Sequence, residues 1–201
     1  SFLFALITIG ITLFLGLLVA YALKQRTRLN QILDPLLMLP LGASAITLGL
    51  GFIIVFNRPP FSSLEFPILL PIAHSLVALP FVVRTLGPAL QNIPISLRNA
   101  ARVLGAPPLR VWREIDLPLI APAILVGMIF ALTISLGEFG ATTFLSRPQY
   151  PTLPIAIFRY ISQPGALNYG QALAMSTILM AVCAGGILLI EGLRLPGRDL
   201  F

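Results

Sequence analysis

Asn99-Ala100-Ala101-Arg102-Val103-Leu104-Gly105, followed ten residues later by Ile115-Asp116-Leu117-Pro118, is the stretch that organises the chain. It is a polar insert punctuated by Gly and Pro, and strongly apolar runs lie on both sides of it. Pro94 closes the segment before it, and Ser96 offers a side-chain oxygen to the free amides of a first helical turn, so the spacing predicts a helix over Leu97–Leu104 capped by Ser96. Ala100, Val103 and Leu104 would share one face, with Arg98 and Arg102 as an i,i+4 pair of positive charges on another. Gly105 falls where a left-handed cap ends a helix, and Pro107-Pro108 forbids continuation. A second short helix is expected over about Leu109–Ile115, before Leu117-Pro118 leads into the next apolar run. Two short amphipathic pieces joined by a fixed turn make a shape suited to docking on something in the water phase.

Working outward, five stretches are long and apolar enough to span a hydrocarbon core of about 30 Å. They are Phe2–Leu23, Leu36–Phe56, Phe66–Val83, Leu117–Leu136 and Ala172–Ile190. The third carries Pro67, Pro71 and Pro80, so a kink is expected there, with neighbouring groups satisfying the freed carbonyls. Pro40 and Pro122 raise the same expectation in the second and fourth. The 201 residues are 57% hydrophobic and 10% charged, with mean hydropathy +0.96. Soluble domains carry about a quarter charged residues, so the chain reads as an all-α polytopic membrane protein. Its net charge of +6 is read through placement, and no nucleic-acid partner is expected.

Placement gives an orientation. Lys24, Arg26, Arg28, Arg84, Arg98, Arg102, Arg110, Arg113, Arg194 and Arg198 fall on one set of loops, and Arg58, Arg147 and Arg159 on the other. The positive-inside rule makes the first set cytoplasmic. The N-terminus of this segment is then outside, the 84–118 loop inside, the 137–170 loop outside and the C-terminal tail inside. The chain starts at Ser1 inside an apolar run, with no cationic region or cleavage pattern of a signal peptide, and reads as a piece of a longer polypeptide. Cys183, the single cysteine, suggests no disulfide or thiol chemistry. No repeat of 20–50 residues occurs.

Leu136-Gly137-Glu138-Phe139-Gly140-Ala141-Thr142 places a carboxylate at the outer end of a span, between two glycines that permit a bend or close packing. Thr152-Leu153-Pro154-Ile155-Ala156-Ile157-Phe158 follows, in a polar loop bearing Tyr150, Tyr160 and Tyr169. Tyrosines at this depth also suit an interfacial belt, and Glu138 also suits a solvated rim carboxylate. His74, the only histidine, lies in the third span without a carboxylate in any apolar run, and is expected to be neutral and bonded to a backbone carbonyl. Ser44, Thr47, Ser75, Thr133 and Ser135 are candidates for hydrogen bonds between helices. Gly49-x-Gly51 and Gly185-Gly186 read as close helix packing. No Gly-x-x-x-x-Gly-Lys-Ser/Thr pattern occurs, so the chain lacks that means of binding ATP.

The insert resembles the E-A-A, three residues, G, nine residues, I-x-L-P loop of ABC-importer permeases, with Asn99 where that family usually has Glu. The resemblance covers most of the chain. It implies a transmembrane bundle of about five spans with the type I ABC importer permease architecture, with 1–201 as the permease domain of a longer two-half protein. It implies an ATPase-coupling role for Asn99, Ala100, Ala101, Gly105, Ile115, Leu117 and Pro118. Glu138, Phe139, Gly140, Tyr150 and Tyr160 would form the outer gate and binding-protein contact. The implied partners are a second permease half or subunit, two cytoplasmic ATP-binding cassette subunits, an external solute-binding protein and membrane lipid. No cofactor or metal is expected on this chain, the ATP-Mg being bound by the partner ATPase, and the chain is not expected to be an enzyme. The implied site of residence is the bacterial plasma (inner) membrane. The ending Glu191-Gly192-Leu193-Arg194-Leu195-Pro196-Gly197-Arg198 looks most like the end of thiamine and ferric-iron permeases. Molybdate- and sulfate-type anions are the alternative cargo. An ion-gradient transporter would need paired intramembrane charges, and a membrane enzyme would need a catalytic cluster.

Overall fold

The computed structural model describes residues 1–24, 28–56 and 66–193, and the described residues are predominantly helical, with no strand among them. In chain order the helices are α1 (Phe2–Leu23), α2 (Arg28–Leu37), α3 (Leu39–Gly42), α4 (Ala45–Phe56), α5 (Phe66–Gln91), α6 (Ile95–Val103) and α7 (Pro108–Val111). A π-helical turn over Trp112–Asp116 leads into α8 (Leu117–Gly137), followed by α9 (Gly140–Leu145), α10 (Leu153–Ile161) and α11 (Ala166–Leu193).

Among the described residues, four segments have the length and apolar character to cross a membrane: Phe2–Leu23, Ile68–Gln91, Pro108–Gly137 and Ala166–Gly192. These correspond to the expected first, third, fourth and fifth spans. The expected second span, Leu36–Phe56, is not one helix. Pro40 starts the four-residue α3, Ala43 is extended (φ −91°, ψ 143°), and the hydrogen-bond ladder restarts only at Ala45. The remaining α4, of 12 residues, is about 18 Å long at 1.5 Å per residue, short of a hydrocarbon core. Hydropathy summed over the run does not register a backbone that turns within it.

The order of layers follows from burial. The span in α5 is 61% buried and that in α11 only 11%, which puts α5 at the centre and α11 at the rim. α5 packs mainly against α1 and α8. Ala78, Val82, Leu86 and Leu90 of α5 meet Ala20 of α1 and Ile120, Ala123 and Ala131 of α8 in the main core. Leu173, Ile178, Met180, Ile187 and Leu188 of α11 are exposed, as side chains facing lipid tails or another apolar subunit are. α5 continues as a helix through Pro71, Pro80 and Pro88. Each proline frees the carbonyl four residues back.

A second, smaller core holds Phe4, Leu70, Ala73, Ala141 and Leu145, with Phe52 and Ile53 against it. Here α4 and α9 touch backbone to backbone. A Cβ on Gly49 would lie 2.8 Å from the Ala141 Cα, and one on Gly140 2.9 Å from the Ala45 Cβ and 3.0 Å from the Ile46 amide nitrogen. Close packing was the reading of both glycine pairs. Gly49 and Gly186 sit at such contacts, Gly186 against Ile129 and Thr133, whereas Gly51 and Gly185 face open space.

Candidate functional site

The insert between α5 and α8 is built as a capped helix on a short connector. α5 runs on to Gln91, so the segment between helices begins at Asn92 and not near Arg84. Gly105 ends α6 with φ +80°, a conformation that costs a side-chain-bearing residue about 1–2 kcal/mol. The Gly105 amide donates to the Arg102 carbonyl at 2.9 Å and the Ala106 amide to the Ala101 carbonyl at 3.0 Å. That pair of bonds is the Schellman arrangement, so the expected cap at Gly105 is present. The expected cap at Ser96 is not. Pro94 occupies the N-cap position (φ −59°, ψ 129°) with Ile95 as the first helical residue. Ser96 therefore lies inside the first turn and Asn99 beyond it. A proline has its φ already fixed and lacks an amide, so it takes the boundary from a serine two residues later.

The expected positive face is also corrected. Arg102 is exposed, but Arg98 turns inward. Its Nε donates to Asp116 Oδ1 at 2.7 Å, and the two side chains are only 11% and 7% exposed. The Tyr21 hydroxyl of α1 donates to Asp116 Oδ2 at 2.9 Å. Asp116 thus joins α1, α6 and the start of α8. It lies between two motif residues, and its importance was not visible in the sequence, where it reads as a loop carboxylate. Its partners are 18 and 95 positions away. The chain does hold a buried carboxylate, but its charge is matched at a helix end and not exposed at the middle of a span. The Arg98 Nη2, also buried, has no hydrogen-bond partner among the described residues.

Asp116 points inward because of the π turn. Leu117 donates its amide to the Trp112 carbonyl, five residues back. Pro118, at the second position of α8, has no amide to give. The expected separate helix at Leu109–Ile115 is accordingly continuous with the fourth span, through α7 and the π turn. Ile115 and Leu117 are half-buried and Pro118 exposed. Asn99 and Ala100 are exposed and Ala101 half-buried. Val103 and Leu104 are each 87% exposed, an apolar tip at the end of a rigid cap.

At the other end of the bundle, Glu138, Phe139 and Gly140 form one local unit. Glu138 Oε1 accepts the Ala141 amide at 2.9 Å, so this carboxylate caps α9 and is not a free rim charge. The Phe139 ring lies 5.5 Å from that of Phe158 on α10. Tyr150 is exposed on a turn, its amide bonded to the Arg147 carbonyl at 3.0 Å, and Tyr160 is half-buried on α10.

Inside this end sits His74, fully buried. It binds hydroxyls and not the expected backbone carbonyl: Nδ1 is 2.9 Å from Ser135 Oγ of α8 and Nε2 is 2.8 Å from Thr142 Oγ1 of α9. Thr142 donates its proton to the Glu138 carbonyl at 2.9 Å, which leaves its oxygen to accept from Nε2–H. Ser135 then serves Nδ1, with Thr8 Oγ1 of α1 a further 3.3 Å contact. Ser75 donates to the Pro71 carbonyl at 2.7 Å and reaches the Thr8 carbonyl at 3.4 Å. Ser75 and Ser135 are thus among the expected interhelical partners.

The two ends sort the described cations. Lys24, Arg28, Arg84, Arg98, Arg102, Arg110 and Arg113 lie toward the α6 end, Arg84 paired with Asp34 of α2, and Arg147 and Arg159 lie on the segments at the α9 end. Arg26, Arg58, Arg194 and Arg198 lie outside the described residues.

Among the described residues, four long apolar helices, one of them the buried central α5, define a polytopic integral membrane protein. The chain belongs to the family of binding-protein-dependent transport system inner membrane components, which it matches over residues 12–193. A probable sulfate transport system permease protein of Anthoceros angustus is 29% identical over 219 residues, covering 98% of this chain and 72% of that protein. The molybdenum transport system permease protein of Haemophilus influenzae is 40% identical over 114 residues, 55% of this chain and 50% of its own length. A putative 2-aminoethylphosphonate transport system permease protein of Salmonella typhimurium is 28% identical over 186 residues, 90% of this chain and 69% of its own. The chain is a permease subunit of an ABC importer, not an enzyme; the ATP is hydrolysed by a separate ATPase, and permeases of this family work with a solute-binding protein.

Proposed function

We propose that α6 and its Gly105 cap form the surface on which a cytoplasmic ATPase docks, and that the α9–α10 end meets the binding protein outside. The observation that carries this reading is the exposed apolar pair Val103 and Leu104 on a helix locked by a Schellman cap. Apolar side chains held outside the bundle by a rigid turn mark an interaction site. The positive-inside rule supports a cytoplasmic α6 end. The N-terminal end of α1 then faces outward.

Two ATPase subunits would serve this chain and a second permease half, with 1–201 one such half. When ATP draws the ATPases together, α6 travels with them and the bundle rocks between inward- and outward-open states. The coupling residues would be Asn99, Ala100, Ala101, Gly105, Ile115, Leu117 and Pro118. Glu138, Phe139 and Gly140 would hold the outer gate through α9, with Tyr150 and Tyr160 at the binding-protein contact.

For the solute, tetrahedral oxyanions and phosphonates have the better support, since the three relatives are named for sulfate, molybdenum and 2-aminoethylphosphonate transport. Thiamine or ferric iron was read from the C-terminal ending, most of which lies outside the described residues. The test is reconstitution of the permease with its ATPase and binding protein in sealed vesicles. ATP-dependent uptake of radiolabelled molybdate or sulfate, abolished by Gly105→Val together with loss of ATPase co-purification, is the expected result. Uptake that follows an ion gradient without ATP would overturn the coupling reading, and ATP-driven uptake of thiamine or ferric chelate alone would overturn the solute.

A further inference from the structure

α6 makes little contact with the bundle. No residue of it is fully buried, and its packing is chiefly against the four-residue α7. Arg98 is the exception, with its side chain 11% exposed and its Nε on Asp116. Asp116 sits in the π turn that runs directly into α8, and its second oxygen holds Tyr21 in the last turn of α1. α1 and α8 are also the two helices that grip α5.

We propose that the Tyr21–Asp116–Arg98 linkage carries movement of α6 into α1 and α8, with Asp116 the positioning residue at its hub. This rests on the reading of α6 as the ATPase-docking helix. A buried ion pair is a poor device for stability, because well-packed apolar residues often do as well. This one leaves the Arg98 Nη2 without a partner, a further cost. What it supplies is direction. Two charge-assisted bonds of fixed geometry tie α6, whose packing is chiefly against α7, to α1 and to the start of α8, and a push on α6 reaches both helices through one carboxylate.

The experiment uses the complete importer in sealed vesicles and reads solute imported per ATP hydrolysed, with ATPase co-purification as a separate measurement. Asp116→Asn keeps the shape but weakens both bonds. It is expected to retain the ATPase while lowering solute per ATP about five- to tenfold. Tyr21→Phe removes only the α1 arm and is expected to lower it about two- to threefold. The exchange Arg98→Asp with Asp116→Arg should recover part of the loss seen in either single reversal. Unchanged solute per ATP in Tyr21→Phe and Asp116→Asn overturns the proposal, and so does loss of ATPase binding in step with loss of transport, which would make the linkage a support for the shape of α6 alone. Failure of the unaltered chain to bind the ATPase would instead remove the docking reading. Should Asp116→Asn not insert, Tyr21→Phe decides the matter by itself.

Discussion

α1 carries a polar cluster near each end, and the two are built on opposite principles. Around Thr8, the His74 imidazole is bonded to the Ser135 and Thr142 hydroxyls, Ser135 touches Thr8, and Ser75 donates to backbone carbonyls, all with no formal charge. Around Tyr21, some 20 Å further along the helix at 1.5 Å per residue, a full carboxylate and guanidinium pair and leave a buried donor over. Satisfied neutral networks rigidify what they join, whereas buried charges make a site sensitive to the loss of either partner. The neutral cluster therefore suits a fixed joint between α5, α8 and α9, and the charged one the movement-carrying joint proposed above.

Breaking the charged cluster on one side should show the largest effect. Asp116→Ala leaves Arg98 charged and unpaired and should cost about 3–5 kcal/mol of stability in detergent unfolding, while Asp116→Ala with Arg98→Met should regain most of it. Equal losses in the single and double variants would mean that the ion pair is not what the site depends on. At the neutral cluster, His74→Leu removes the partner of two hydroxyls in a region where interhelical hydrogen bonds are worth about 0.6–1.7 kcal/mol each, so about 1–3 kcal/mol is expected. Combined with Asp116→Ala, it should add to within about 0.5 kcal/mol if the clusters are independent, and a larger interaction would show that α1 couples them.

Gly49→Ala drives a methyl group against the Ala141 backbone, and overpacking of this kind costs about 1–3 kcal/mol. The expected readout is a lowered melting temperature with α9, and so Thr142, displaced from His74. The smallest effect is expected from Asn99→Glu. With Pro94 as the cap, Asn99 is too far into α6 for a capping box, and a charge there is worth at most a few tenths of a kcal/mol. A gain near 1 kcal/mol in the same assay would restore Ser96 as the cap.

The same contrast explains what could be read in the sequence. Four spans follow from hydropathy because lipid-facing and core-facing residues are both apolar, and Gly105 was legible because its cap depends on neighbours within five residues. The break at Ala43 was hidden inside an apolar run. Ser96 was a sound cap by type and was displaced by Pro94, whose constraint is stronger. Asp116 was passed over and His74 was given the wrong partner for one reason: both are defined by side chains brought from distant helices, and local spacing carries no trace of that.

The π turn at Trp112–Asp116 has a consequence for the phase of the long helix. A π turn is in effect one surplus residue within an α-helical ladder. Removing a single residue from it would let the ladder close regularly from Pro108 to Gly137. Everything before the turn would then swing by about 100° and shift by about 1.5 Å relative to α8. Such a shortened chain would have a more regular helix and an α6 aimed in a different direction, so the bearing of α6, and with it of the docking surface proposed there, is set by one extra residue in the count.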